Sequence, residues 1–311
     1  MKNKIFDLVR DLKRNLAGKR VLAAVSGGKD SVFMLYALSR AISNGLLVAH
    51  FNHKSRPSSD RDEMFVKNLC ESLQVPFVRG ELSRKPPRGC SLEEFYRTHR
   101  YEFFEKVKKE KNLDLICVAH NTNDIVETFL FRLFTGRLLK IPPRWSEDRK
   151  IFRPIYYWRS DQIISALRYL KLDYMEDESN FDSTFDRNYL RGILEELAKR
   201  FGSKLFNNVL ERVETFNQSF ESSQALSRVL ARAIIEQGNE LQAVRNVLSS
   251  LNQPSTQRIF MNEWIFANLG FHVGCTHLGR LLDFFTGHAQ RLDLPQRITL
   301  VKVRGRVLVK N

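Results

Sequence analysis

Residues 26–31 have side chains of the types needed to hold a phosphate, in the order Ser-Gly-Gly-Lys-Asp-Ser. Glycines let the backbone adopt positive φ and approach a ligand closely. Serine hydroxyls and a lysine ammonium beside the unpaired N–H groups that begin a helix favour an anion. The pattern therefore predicts a phosphate-binding loop made of Ser26, Gly27, Gly28, Lys29, Asp30 and Ser31.

This loop differs from the two commonest nucleotide-binding motifs. It lacks the four-residue spacing between the first glycine and Gly-Lys-Ser/Thr of a Walker A loop, and it lacks the G-x-G-x-x-G of a dinucleotide fold. The alternative to a phosphate site is a Gly-Gly turn between a strand and a helix with incidental polar neighbours.

Histidines stand at the ends of two apolar runs. His50 and His53 end the run that begins at Gly45, and His120 follows residues 114–119. Ligands of parallel sheets bind at the carboxyl ends of strands, so we expect His50 and His120 to bond a nucleotide or substrate. A zinc site at His50 and His53 is disfavoured, because no cysteine or carboxylate is grouped with them at ligand spacing.

Asp124 and Glu127 are three residues apart, which places both on one face of the first turn of a helix. Two carboxylates in this position suit Mg²⁺ bound partly through water. They also suit the positive end of the helix dipole. Both roles are compatible with a neighbouring phosphate loop.

The elements that must position these groups are four apolar runs, each followed by a helical pattern, at residues 20–25, 45–52, 76–80 and 114–119. Consecutive strand-then-helix units require a parallel sheet with right-handed crossovers and helices on both faces. We predict an α/β catalytic domain with a doubly wound parallel sheet over residues 1–200. Helical periodicity and then short strands predict a smaller helical or α+β C-terminal domain over residues 201–311.

Residues 132–159 combine basic and aromatic side chains. Basic groups bind phosphates and aromatic rings stack on unpaired bases. Pro142 and Pro143 favour an extended connection over packed core, so we predict a nucleic-acid contact here; the alternative is a loop with core aromatics. The aromatic members are Phe134, Trp145, Phe152, Tyr156, Tyr157 and Trp158.

A dense acidic stretch at residues 176–182 precedes Arg187, Asn188 and Arg191. Arginine is a common electrostatic device where negative charge develops during a reaction. This combination is unexpected for a merely solvated loop, and we therefore include it among the candidate site segments.

Charge and composition limit the partners. The 311 residues carry a formal net charge of +15, which favours a polyanionic partner, although a basic surface that only aids solubility is an equal alternative on charge alone.

The four cysteines are widely spaced, as in reduced intracellular proteins. Residues 1–20 form an amphipathic pattern without the apolar region of a signal peptide, and no run is long enough to span a membrane. We expect a soluble, cytoplasmic protein.

Five pieces in chain order carry a resemblance to a known family. They are residues 26–31; His50-Phe51-Asn52-His53 with Arg56; Ser91-Leu92-Glu93-Glu94 with Arg97, Arg100 and Tyr101; Ala119-His120 with Asp124, Glu127, Thr128 and Arg132; and residues 176–180 with Arg187, Asn188 and Arg191. Together they resemble the tRNA(Ile)-lysidine synthetases, which are N-type ATP pyrophosphatases, over about residues 18–200. The C-terminal part resembles that family more loosely. The resemblance implies that residues 201–311 form a tRNA-binding domain and that this chain is a short form without a second C-terminal domain.

The resemblance implies an activity. Members use ATP to ligate free L-lysine to the wobble cytidine of the CAU anticodon of tRNA(Ile), through an adenylated cytidine, which changes the codon read from AUG to AUA. It implies ATP and Mg²⁺ as cofactors, and catalytic roles for Asp30, Arg100 and Arg191. Asp30 has two open roles, as metal ligand or as partner of the lysine ammonium. The oligomeric state is left open, with a homodimer as one option.

Three other functions compete with this one. A tRNA thiolase of the same superfamily would carry the same loop, but its sulfur chemistry normally needs cysteines at C-x-x-C spacing, which this sequence lacks. An amidotransferase synthetase would need a glutaminase signature. A non-catalytic RNA-binding protein would have no use for Asp30, Arg100 and Arg191.

Overall fold

The computed structural model describes residues 1–54, 59–82, 86–87, 92–135, 141–146, 150–175 and 186–310. The chain divides into two compact units, one of Met1–Phe131 with Ile141–Glu211 and the other of Arg132–Lys140 with Arg212–Asn311. The predicted domain boundary at residue 200 stays a prediction. Among the described residues, no helix has both the length and the apolar character needed to cross a bilayer.

The first unit contains a six-stranded, mostly parallel sheet with the order β3-β2-β1-β4-β6-β5. In the described part of this unit, the pair of β5 with β6 is antiparallel and the other strand pairs are parallel. The predicted fold class is confirmed, and all four predicted strands are present. The strands are β1 (Val21–Ala24), β2 (Leu46–Asn52), β3 (Phe77–Glu81), β4 (Leu115–Cys117), β5 (Trp145–Ser146) and β6 (Ile151–Phe152).

Helices of the first unit cover both faces of this sheet, because alternate strand residues point to opposite sides. Val21, Leu115 and Phe152 pack in a cluster with α1, α2, α3 and α6, whereas Leu22, Ile116 and Ile151 pack against α4. The helices are α1 (Lys2–Asn15), α2 (Lys29–Ala41), α3 (Ser59–Ser72), α4 (Leu92–Glu110), α5 (Thr122–Phe134), α6 (Ser160–Leu170) and α7 (Asp186–Phe201).

The prediction of a nucleic-acid contact from residues 132–159 is wrong for most of its aromatic rings. Phe152, Tyr156 and Trp158 are 2%, 1% and 4% exposed, and Trp145 packs on Phe152. The reason is that β6 pairs with β4 and draws the segment into the core. Only Phe134 and Tyr157 of the predicted rings are exposed.

The second unit has its own core beneath a small antiparallel sheet. Trp264, Phe260, Phe284 and Phe285 are almost fully buried in it. Its later elements confirm the predicted helices and terminal strands. They follow α8 (Lys204–Glu236), which spans the division between the units, and are α9 (Leu241–Ser250), α10 (Pro254–Leu269), α11 (Cys275–Thr286), β7 (Arg291–Leu294), β8 (Ile298–Val303) and β9 (Arg306–Lys310).

Candidate functional site

A cavity of about 730 Å³ lies at the carboxyl ends of β1, β2 and β4. In the sheet order, β1 and β4 are neighbours whose chains continue to opposite sides, which is the point where open α/β sheets bind ligands. Seven of the predicted site residues line this cavity. They are Ser26, Gly28, Asp30 and Ser31 of the loop, with His50, Arg100 and His120.

Ser31 holds the loop in shape. Its Oγ accepts hydrogen bonds from the backbone N–H groups of Ser26 and Gly27, at 3.2 and 3.1 Å. The same oxygen donates to the carbonyl of Gly28 over 2.9 Å. The N–H groups of Ser26 and Gly27 are thus bonded within the loop, whereas a phosphate is predicted to meet the N–H groups that begin α2.

Gly27 is required for the backbone path. Its φ is +98°, and a Cβ there would lie 3.3 Å from Cγ2 of Val66 and 3.6 Å from Cγ of Met175. Its carbonyl accepts the N–H of Met175 over 2.9 Å. A side chain would meet both an unfavourable φ and close neighbours.

Asp30 is held from two sides. Its Oδ2 lies 3.1 Å from Nζ of Lys29, and its Oδ1 accepts the side-chain amide of Asn121 over 3.0 Å. Asn121 is 1% exposed and was not among the predicted site residues. Its Oδ1 also accepts the N–H groups of Asn123 and Asp124, so it caps α5. An Asn directly before a predicted helix was the signal available for it.

Asp124 and Glu127 follow on α5, beside Asp30. Burial, with the charge of Asp30 next, raises the pKa of Asp124 to about 7. Glu127 is 8% exposed, and its Oε2 lies 3.2 Å from both Nε and Nη2 of Arg191. The predicted catalytic Arg191 is therefore brought to the predicted metal pair rather than to the lining of the cavity.

These carboxylates suit a hard cation. The charges of neighbouring carboxylates help to raise the pKa of Asp124. A divalent ion would offset the repulsion between these carboxylates, and Mg²⁺ prefers oxygen ligands. Within the described part of the chain, no three His, Cys, Asp or Glu side chains are grouped as a complete metal site. Mg²⁺ does not need such a group, since it usually binds one or two carboxylates together with substrate phosphates and water.

The two predicted histidines are held differently. Nδ1 of His50 lies 2.9 Å from the carbonyl of Val25, and burial lowers the pKa of this 4% exposed residue. Nδ1 of His120 accepts from Nε of Arg153 over 3.3 Å. Arg153, which the sequence placed only in a general basic segment, is a second residue that sequence reasoning missed.

Arg100 lines the cavity from α4, together with Tyr96 and Tyr101. Burial and then the charge of Arg100 lower the pKa of His53 to about 4, so that this imidazole is neutral. The alternative to a catalytic role for Arg100 is an ion pair on the helix surface with Glu93 or Glu105. Of these two glutamates, Glu105 lies 2.6 Å from Lys108 instead. The other, the side chain of Glu93, lies outside the described part, as do Arg56, Ser91, residues 176–182 and the side chains of Arg187 and Asn188.

The sequence of this unit matches a known family. Residues 1–197 match the model of the PP-loop domain. The chain belongs to the PP-loop domain family. We call the cavity above the loop at residues 26–31 the PP-loop cavity; that this loop binds phosphate stays a prediction.

Two curated relatives of this PP-loop protein have the same name. The chain is 34% identical over 175 residues to a tRNA(Ile)-lysidine synthase of Pseudothermotoga lettingae, covering 53% of this chain and 38% of the relative. It is 35% identical over 193 residues to a tRNA(Ile)-lysidine synthase of Clostridium perfringens, covering 58% and 41%. The matched part thus spans about two fifths of each of these relatives.

A solved structure has the same fold. A U34-tRNA thiolase, NcsA, from Methanococcus maripaludis with its 4Fe-4S cluster superimposes with a TM-score of 0.59, covering 69% of this chain and 80% of the thiolase. The two sequences are 17% identical, so the likeness concerns the fold alone.

Proposed function

We propose that this PP-loop protein uses ATP to ligate free L-lysine to the wobble cytidine of the CAU anticodon of tRNA(Ile), which converts an AUG reader into an AUA reader. The observation that carries the proposal is the cavity in which the loop, Arg100 and His120 meet at the edge of the sheet. The shared name of the curated relatives supports the choice of tRNA and lysine as substrates.

In the first step, the ring carbonyl oxygen of the cytidine attacks the α-phosphorus of ATP. A new P–O bond forms, the bond to the β-phosphate oxygen breaks, and pyrophosphate leaves. The N–H groups that begin α2 and the ammonium of Lys29 suit the leaving pyrophosphate. Arg100, which lines the same cavity, suits the charge that develops on the transferring phosphorus.

In the second step, the ε-amine of lysine attacks the adenylated ring carbon. A C–N bond forms, the C–O bond breaks, and AMP leaves with the former carbonyl oxygen while the amine loses a proton. The Arg191–Glu127 pair lies beside Asp124, and Arg191 suits the charge on the departing phosphate. Asp30 serves either the metal or the lysine ammonium.

Mg²⁺ would be held by Asp124 and Glu127, with Asp30 nearby, and when bound it neutralises phosphate charge. The surface supports a polyanionic partner, since the formal net charge is +15. We place the protein in the cytoplasm, where tRNA is modified. A homodimer remains a prediction, which light scattering on the purified protein tests.

The deciding experiment is incorporation of labelled lysine into purified tRNA with ATP and Mg²⁺. The isoleucine tRNA with a CAU anticodon is compared with the methionine tRNA that has the same anticodon. Labelling of the isoleucine tRNA alone supports the proposal. No labelling of either tRNA, with binding retained, would favour a thiolase or a binding protein; labelling of both would refute the proposed substrate selectivity.

A further inference from the structure

Two imidazoles that line the PP-loop cavity have opposite partners at Nδ1. At His50 the partner is the carbonyl oxygen of Val25, at 2.9 Å. A carbonyl can only accept, so Nδ1 of His50 is protonated and Nε2 has no proton. At His120 the partner is Nε of Arg153, at 3.3 Å. A guanidinium can only donate, so Nδ1 of His120 has no proton and the ring proton is on Nε2.

Arg153 is fixed in place by its surroundings. It follows β6, which pairs with β4 through Cys117 and Phe152, and the N–H of Val118 bonds the carbonyl of Phe152 over 3.0 Å. The residues that follow both strands, Arg153 and His120, therefore reach the same edge of the sheet. Arg153 is 5% exposed, and its Nη1 donates to the carbonyl of Pro143 over 2.5 Å.

A buried guanidinium is costly unless hydrogen bonds replace its lost hydration, so the bonds of Arg153 to His120 and Pro143 help to stabilise it. A protonated imidazole has an N–H group at both ring nitrogens and accepts no hydrogen bond. The bond from Arg153 therefore requires the neutral ring of His120, in which the other nitrogen, Nε2, is a donor. An N–H donor on a residue that lines the cavity can bond an oxygen of a ligand.

We propose that Arg153 is a positioning residue that holds His120 in the neutral tautomer with the proton on Nε2, so that His120 offers an uncharged N–H donor to an oxygen of the bound nucleotide. The proposal rests on the PP-loop cavity as the ATP site, which is part of the proposed function, but not on lysine transfer. His50, held in the opposite tautomer, serves as an internal reference.

The first test needs no variant of Arg153. Long-range proton–nitrogen NMR on protein labelled at the ring nitrogens of its seven histidines reports the tautomer of each ring. A His120→Gln variant identifies the His120 signals and a His50→Gln variant those of His50. We expect a proton on Nε2 of His120, with a hydrogen-bonded Nδ1, and a proton on Nδ1 of His50. A proton on Nδ1 of His120, or a free Nδ1, overturns the proposal.

The second test removes the donor. In Arg153→Met, we expect the Nδ1 signal of His120 to move to the position of an unbonded nitrogen, and the Kd for ATP to rise about tenfold, as is common when the partner that orients a functional imidazole is lost. Arg153→Lys keeps a charged donor and should retain part of the effect. Unchanged His120 signals and ATP affinity in a folded Arg153→Met protein overturn the proposal.

Arg144→Gln is the matched control. Arg144 precedes β5 in the same segment, pairs with Asp11, and lies over Phe152 and Tyr157 instead of His120. It should leave the His120 signals and the ATP affinity unchanged. Because ATP binding and tautomer are measured without tRNA or lysine, a failure of lysine transfer would be recognised separately.

Discussion

The side-chain amide of Asn121 donates to Oδ1 of Asp30 over 3.0 Å, although the two residues are 91 positions apart in the sequence. Asp30 lies in the first turn of α2 and Asn121 caps α5, so the bond links the starts of the helices that follow β1 and β4. The carboxylate of Asp30 is thereby aimed by a group that is itself 1% exposed.

Asp30→Ala should abolish turnover and leave the affinity for tRNA within a few-fold of the parent. The reason is that phosphate contacts elsewhere dominate binding of a polyanion. Pyrophosphate release and filter binding of tRNA measure the two quantities. A variant that keeps most of its turnover would refute the catalytic assignment of this carboxylate.

The variant Asp30→Asn distinguishes the two open roles of Asp30. A raised Mg²⁺ requirement in this variant indicates that Asp30 is a metal ligand, and a raised KM for lysine indicates that it binds the lysine ammonium.

Gly27→Ala should lower the free energy of unfolding of the first unit by about 1–3 kcal/mol and raise the KM for ATP. The added Cβ is strained at φ +98° and approaches Val66 to 3.3 Å. Urea unfolding and steady-state kinetics measure the two effects.

Gly279→Ala is the control for that glycine substitution. Gly279 lies within α11 with open space around its Cα, so alanine should be neutral or stabilise the helix by about 0.5–1 kcal/mol. Equal effects of the two substitutions would contradict a special backbone requirement at Gly27.

Arg191→Met should lower stability by about 1–3 kcal/mol, since the largely buried carboxylate of Glu127 loses this charged partner. The double variant Arg191→Met with Glu127→Gln should regain much of that stability, because the amide needs no counter-charge. Because Glu127→Gln also removes a proposed Mg²⁺ ligand, the double variant is compared with Glu127→Gln alone. If Arg191 is catalytic, turnover in the double variant stays below that of Glu127→Gln. Equal turnover of these two variants would limit Arg191 to a structural role.

The stability of the metal-free protein should fall as the pH rises through neutrality. The pKa of Asp124 is raised from 3.8 to about 7 on folding, so the folded state holds the proton more tightly between these values. This carboxyl therefore stabilises the fold most below about pH 4 and progressively less as the pH rises through about 7. At about 1.4 kcal/mol for each pH unit between these two pKa values, the contribution is on the order of 4 kcal/mol.

Urea unfolding at pH 5 and pH 8 checks this dependence. In Asp124→Asn the difference between the two pH values should shrink, because the amide does not titrate. Binding of Mg²⁺ with ATP should stabilise the parent protein more at pH 8 than at pH 5, since a metal ligand must be deprotonated. An unchanged pH dependence in Asp124→Asn would contradict the raised pKa.

Local patterns were enough for the parts of the site that follow directly from one strand or one helix. The loop at residues 26–31 was predictable because an apolar run, two glycines and two hydroxyls within a few residues indicate a strand, a turn and the start of a helix. His50 and His120 were predictable because parallel strands bring their carboxyl ends to one edge. Seven of the predicted residues do line one cavity.

The wrong prediction for residues 132–159 also has a physical cause. The strands β5 and β6 are two residues long each, too short for an alternating pattern to be recognised beside Pro142 and Pro143. A segment that binds nucleic acid and a segment at the edge of a core, where arginines cover aromatic rings, have a similar content of basic and aromatic residues. Only the pairing of β6 with β4 decides that Phe152, Tyr156 and Trp158 are buried.

The sequence by itself determined the parallel sheet, the strand, turn and helix around residues 26–31, and the family resemblance, because apolar periodicity, glycine positions and motif order are local properties of the chain. Only the tertiary structure decided which side chain faces which: Asn121 with Asp30, Arg191 with Glu127, and Arg153 with His120. These pairs join residues 91, 64 and 33 positions apart, and no local rule relates them. The sheet order brings them together, and their hydrogen bonds then set the charge and proton positions on which the proposed chemistry depends.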